Sequence, residues 1–113
     1  MADTRERRLL VADEDDKVIY IFGLNGSYVK KIGNKKFKGE PEGIAIYKGY
    51  YIFTDQSKRN NEFHVYDRDT LRYKKSFKLN GVKHTDGITV DGDMIYAIHN
   101  DGALASSRLN NKI

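Results

Sequence analysis

The sequence predicts an all-β fold made of β-propeller blades, each a sheet of four antiparallel strands. Three observations predict it. β-Branched and aromatic residues fall in short clusters separated by Gly, Asn and Asp, which is the composition of strands and turns. No helix-period stretch is long enough to compete, and proline occurs once, at Pro41. The clusters also repeat in order. Val11-Ala12-Asp13 corresponds to Phe53-Thr54-Asp55 at a shift of 42, and Glu42-Gly43-Ile44-Ala45-Ile46 to Asp86-Gly87-Ile88-Thr89-Val90 at a shift of 44. A four-strand unit recurring every ~40–45 residues has the period of propeller blades.

The elements follow in order. Leu9–Ala12 is a short apolar cluster closed by the turn formers Asp13–Asp16. Val18–Phe22 is a nearly continuous apolar run, the pattern of a strand packed on both faces. Gly23-Leu24-Asn25-Gly26 turns the chain into Tyr28–Ile32, whose Lys30 and Lys31 suit a more exposed strand. Gly43–Tyr47 completes a first blade. Tyr50–Thr54, with the buried-type run Tyr51–Phe53, starts a second, followed by Phe63–Tyr66, the lysine-bearing Arg72–Phe77, and Gly87–Val90. Met94–Ile98 restarts the cycle and Ala103–Leu109 continues it weakly. The expected organisation is an N-terminal extension at 1–8 and a partial propeller over 9–113. That propeller divides into a blade at 9–47, a blade at 50–90 and a half blade at 94–109, about two and a half blades. Roughly 4–8 blades close a propeller, and each repeat buries its apolar face only against a neighbour. Self-association, or docking to the remaining blades of a propeller, is therefore expected.

Composition narrows the function. The chain has 113 residues, one domain or less. Its net charge is +4, yet residues 1–16 hold three arginines against six acids. That mild, uneven balance argues against nucleic acid as a partner. There is no cysteine, so neither a disulfide scaffold nor a thiolate metal site exists. No apolar run approaches ~18 residues, so no membrane span is expected. The N-terminus lacks the apolar stretch of a signal peptide, which suggests either an intracellular protein or a missing natural start.

Antiparallel order sends alternate turns to the same end of every blade. Asp13-Glu14-Asp15-Asp16, Glu40-Pro41-Glu42-Gly43, Asp55-Gln56, His84-Thr85-Asp86-Gly87 and Asn100-Asp101-Gly102 then share one rim. Crowded carboxylates coexist when solvated, protonated or neutralised by a cation. An oxygen-only donor set suits calcium, which takes 6–8 oxygens in flexible geometry. Against this, Asp, Asn and Gly also form turns for local reasons. Lys35, Lys36, Lys38 and Lys83 could reach that rim and attract an anion such as phosphate, although most lysines here suit a solvated outer face. His64 lies mid-strand and reads as a packing or edge residue, and no Gly-x-Ser-x-Gly elbow exists.

Together, Leu10–Ile19, Glu42–Tyr47, Thr54-Asp55-Gln56, Phe63–Arg68, Thr85–Ile88 and Tyr96–Gly102 resemble, in order and spacing, the C-terminal half of the β-propeller phytases, over about residues 9–105. The resemblance implies blades of a six-bladed type and calcium-dependent hydrolysis of phytate phosphomonoesters. In that chemistry the ions neutralise phosphate and a metal-bound water attacks phosphorus. By motif, Glu14, Glu42 and Asp86 match calcium ligands, Glu40 stands at a nearby acid, and Gln56 matches a rim glutamine, with Asp13 beside them. A phosphorylated small molecule would then meet Lys36, Lys38 and Lys83. The family's N-terminal blades, with further acids and most of its basic phosphate-binding residues, have no counterpart here. A full site is therefore expected only if a ring is completed, and a non-catalytic scaffold or binding and assembly module is the alternative.

Overall fold

The computed structural model describes residues 1–33, 35–56, 61–79, 85–99 and 102–113. Among these the fold is all-β, with eleven strands: β1 (Ala2–Asp3), β2 (Arg8–Asp13), β3 (Val18–Gly23), β4 (Tyr28–Ile32), β5 (Glu40–Tyr47), β6 (Tyr50–Gln56), β7 (Asn61–Asp67), β8 (Tyr73–Phe77), β9 (Thr85–Asp91), β10 (Met94–His99) and β11 (Leu104–Arg108). They form three antiparallel sheets, β1-β2-β3-β4, β5-β6-β7-β8 and β9-β10-β11. Among the described residues no helix is long and apolar enough to cross a membrane.

Two seams hold the sheets face to face. In the first, Leu10, Ile19, Ile21 and Ile32 of the first sheet meet Tyr51, Phe53 and Tyr66 of the second. In the second, Ile52, Phe63 and Val65 meet Ile95 and Ala97 of the third. Strand periodicity explains the split. Alternate residues of β6 point to opposite faces, so Tyr51 and Phe53 serve one seam while Ile52 serves the other. Tyr51, Ile52 and Phe53 are all fully buried, as their continuous apolar run predicts. The equally apolar β3 behaves differently. Ile19 and Ile21 are buried, but Tyr20 and Phe22 stay half-exposed, because no sheet covers their side.

The sheets fall one strand out of phase with the expected blades. The strand at 40–47 pairs with β6 and not with the lysine-bearing β4. It therefore opens the second sheet, and 85–91 opens the third. These opening strands lie where neighbouring sheets converge. A Cβ placed on Gly43 of β5 would sit 3.1 Å from the Ile88 side chain of β9. The strands at 8–13, 50–56 and 94–99, each expected to open a blade, stand second in their sheets. β4 and β8 are outermost, and their lysines are exposed as expected.

The residues expected as an extension, 1–8, supply β1. Ala2 pairs with Leu9 and Asp3 with Arg8. A two-residue strand has little propensity of its own. What fixes it is Asp3, 1% exposed. Its carboxylate accepts from Arg68 Nε at 2.7 Å and Nη2 at 2.6 Å, and from the Tyr51 hydroxyl. The Arg68 hydrogen bonds outweigh burial and hold the Asp3 carboxyl well below the usual carboxylate range. A planar guanidinium suits this two-oxygen contact, which ties the chain start to the β7–β8 turn. Arg68→Leu leaves a buried charge without its partner and should cost about 3–5 kcal/mol in urea unfolding. The double variant Asp3→Leu/Arg68→Leu should lose less than that. Additive losses would show that the pair is not coupled.

Candidate rim site

Strand alternation places the β2–β3 turn, the end of β6 and the starts of β5 and β9 at one end of the sheets. Asp13, Glu14, Glu40, Glu42, Gln56 and Asp86 therefore share that end, whatever the phase of the blades. Because β5 and β9 open their sheets, Glu42 and Asp86 stand nearest the convergence of the sheets, and the acidic turn at 13–16 stands farther out.

Within this rim three glutamates form an acidic strip. Glu14 is fully exposed, yet its carboxyl is raised above the ordinary value, first by the charge of Glu40 and then by that of Glu42. Glu42 also lines a cavity of about 330 Å³ with Met1, Leu10, Val11, Ala12 and Ile44, between the first two sheets. The other expected ligands are engaged differently. Asp13 Oδ1 accepts from the amides of Asp15 at 3.0 Å and Asp16 at 3.1 Å, which closes the turn. Asp16 accepts from the Tyr20 hydroxyl at 2.8 Å. Gln56 is buried opposite Glu40 in the β5–β6 ladder, and its Nε2 has no hydrogen-bond partner. A cation would take the amide oxygen and not this nitrogen. Asp86 is exposed at the start of β9. Among the described residues no three His, Asp or Glu side chains converge to hold one metal ion.

The lysines divide in the same way. Lys36 Nζ lies 4.2 Å from the ring centroid of Tyr73 on the outermost strand β8, a cation–π contact away from the convergence. Lys38 is exposed, its amide donates to Asp55 at 2.9 Å, and its carbonyl accepts from Lys17 Nζ at 3.2 Å. Lys83, His84, Asn100 and Asp101 lie outside the described residues.

Sequence reasoning missed a buried polar relay beneath the rim. His64 Nε2 lies 2.9 Å from Asp55 Oδ2 and Nδ1 lies 2.6 Å from Ser76 Oγ. One tautomer satisfies both contacts, with Nε2–H donating to Asp55 and Nδ1 accepting from Ser76. The Asp55 carboxylate also accepts from the amides of Lys38 and Gly39 at 2.9 and 2.8 Å. The relay therefore pins the connection between the first two sheets to β6, β7 and β8. Phe37 in that connection packs edge-on against His64, with centroids 5.0 Å apart. The turn leading to Phe37 needs Gly33. Its φ is +87°, and a Cβ there would lie 2.1 Å from the Phe37 ring. The triad order of Asp, His and Ser suggests a nucleophile, but Ser76 sits within a regular strand, between His64 and the Tyr73 hydroxyl at 2.8 Å. The signal available in the sequence was His64 itself, a polar side chain inside the apolar run Phe63–Tyr66.

Burial pushes the Asp55 carboxyl up, but the hydrogen bonds from His64 and the two amides prevail and leave it below the ordinary value of 3.8. A depressed folded-state pKa stabilises the fold above the unfolded value and is lost as pH falls through the folded one. Stability should therefore decline below about pH 4, and Asp55→Asn should flatten that acid limb, leaving the share of Asp3. Urea unfolding at stepped pH checks this, and an unchanged acid limb would refute it.

Comparisons with known proteins bear on the fold. No family model and no curated protein matches the chain. The β-propeller domain of Cps50 (Swd1) from Myceliophteria thermophila superposes with a TM-score of 0.73 at 8% identity, covering 100% of this chain and 35% of that one. The computationally designed Ika4 protein aligns with a TM-score of 0.48 at 12% identity, covering 88% of this chain and 65% of that one. The chain thus spans about a third of the Swd1 domain, and the likeness concerns architecture alone. The three sheets are consecutive blades of a β-propeller; the phytase resemblance gains no support from these comparisons.

Proposed function

We propose that this chain is a non-catalytic propeller segment, an assembly and binding module that docks through the uncovered faces of its two end sheets. What supports this reading is the placement of exposed apolar side chains. Val11 and Tyr28, 48% and 58% exposed, stand on the outward face of the first sheet; Ile98 and Leu104, 50% and 64% exposed, stand on that of the third. Large apolar residues collected on two opposite flanks mark interaction surfaces rather than scattered surface residues. The partner is a second copy or the remaining blades of a propeller. Phosphate release from phytate, measured with and without calcium, tests the non-catalytic part. No turnover is expected in either condition. Calcium-dependent release would overturn this reading in favour of a phytase-like phosphatase.

A second reading concerns the rim and has its own observation, the mutual repulsion felt by Glu14. The strip of Glu14, Glu40 and Glu42 attracts a divalent cation, with calcium the best match to exposed carboxylates. Asp86 and the Gln56 amide oxygen would add donors from the next sheets, and Lys36, Lys38 and Lys83 would be the groups to meet a phosphorylated small molecule. Millimolar calcium should raise the melting temperature of the parent and not that of Glu14→Gln/Glu42→Gln. An equal shift in both proteins, or none in the parent, would remove the site.

A further inference from the structure

We infer that the partner of the two open flanks is a second copy of this chain, joined head to tail so that two chains close one ring of six sheets. This rests on the reading of the chain as an assembly segment. The register of the strands carries it. In the ladders, Val11 pairs with Tyr20 as Phe53 pairs with His64, and Leu9 pairs with Phe22 as Tyr51 pairs with Tyr66. The open face of the first sheet, Leu9, Val11, Tyr20 and Phe22, is thus the counterpart of the face that the second sheet buries in the first seam. Tyr28 joins it, with ring centroids 5.9 Å from Phe22 and 6.4 Å from Tyr20.

The other flank is the complementary kind. Ile98 pairs with Leu104 as Thr54 pairs with Phe63, and Thr89 pairs with Tyr96 as Ala45 pairs with Ile52. The open face of the third sheet is therefore the counterpart of the face that the second sheet turns toward the third. It carries an apolar groove of about 250 Å³ lined by Gly87, Ile88, Thr89, Tyr96, Ile98 and Leu104. The two glycines make the same point. Gly43 is closed in by Ile88 of the next sheet, whereas a Cβ on its counterpart Gly87 would meet nothing within 4 Å. Each flank thus continues a seam already formed inside the chain, and each is the type that the other receives.

Stoichiometry selects the number of copies. Three sheets cannot close a propeller, which takes roughly 4–8 blades. Two copies give six sheets and three copies give nine, so two is the number within that range. Each seam joins unlike flanks, and the half-turn that relates the two chains closes the ring instead of leaving a growing filament.

The charge-swap pair Val11→Glu and Ile98→Lys tests this. Both positions are exposed in the single chain, so the variants should keep the parent's circular dichroism. Light scattering of the parent should give twice the 13.0 kDa chain mass. Each variant alone carries a charge into both seams of the ring and should weaken self-association by about a hundredfold or more. Mixed one to one, they should regain the dimer, because one seam is then unaltered and the other pairs Glu with Lys. Several results would overturn the inference: a monomeric parent at all concentrations, a parent that grows beyond two copies, dissociation by one variant only, or no recovery on mixing. Dissociation by one variant only would mean that like flanks meet, which leaves the assembly reading standing. The non-catalytic part of the proposed function is judged separately by the phytate measurement.

Discussion

A sheet in this fold has one way to hide its apolar face, which is to lay it against the next sheet. Everything else in the structure is arranged around that constraint. The middle sheet is covered on both sides and holds the fully buried Tyr51, Ile52, Phe53, Phe63 and Val65. The end sheets are each covered once, and their second faces keep aromatic and aliphatic side chains in the open. Hydrophobic burial is non-directional, so it sets how strongly sheets adhere but not their order or angle. Those come from polar contacts with fixed geometry.

Two such contacts stand on either side of the middle sheet's first seam. At one end Arg68 and Tyr51 clamp Asp3 and hold the short opening strand in place. At the other, Asp55 receives His64 and two amides of the inter-sheet connection. Both are buried carboxylates with their hydrogen-bonding capacity used, the condition under which buried charge is tolerated. The seam is therefore fixed at top and bottom by groups that allow one arrangement. The second seam has a lighter fastening, the Tyr47 hydroxyl donating to Asp93 at 2.7 Å.

Much of this was legible in the sequence. The strand at 28–32 falls where its cluster does, and those at 18–23, 50–56 and 94–99 within two residues of theirs. β-Branched and aromatic clusters report half-buried extended chain directly. Phase was not legible, because a periodic pattern has no marked origin: the strand at 40–47 looks equally like the end of one unit or the start of the next. β1 left no trace, since Ala2-Asp3 has no alternation and its partner Arg68 lies 65 residues away. At the rim, chain order alone brought Glu14, Glu42 and Asp86 to one end. It gave no distances, and it did not show that the charges of Glu40 and Glu42 raise the Glu14 carboxyl. Asp55 appeared to be one more turn acid. Its burial depends on a histidine from the adjacent strand, a contact that spacing does not encode.

The one-strand offset between sequence repeat and sheet carries an evolutionary consequence. A repeat contributes three strands to one sheet and opens the following one, so consecutive sheets are stitched together by the backbone itself. Recombination that gains or drops a whole repeat would hand each neighbour the strand it lacks and leave none orphaned inside the array. Lineages built on such a unit can change their number of sheets in single steps without passing through a half-made sheet.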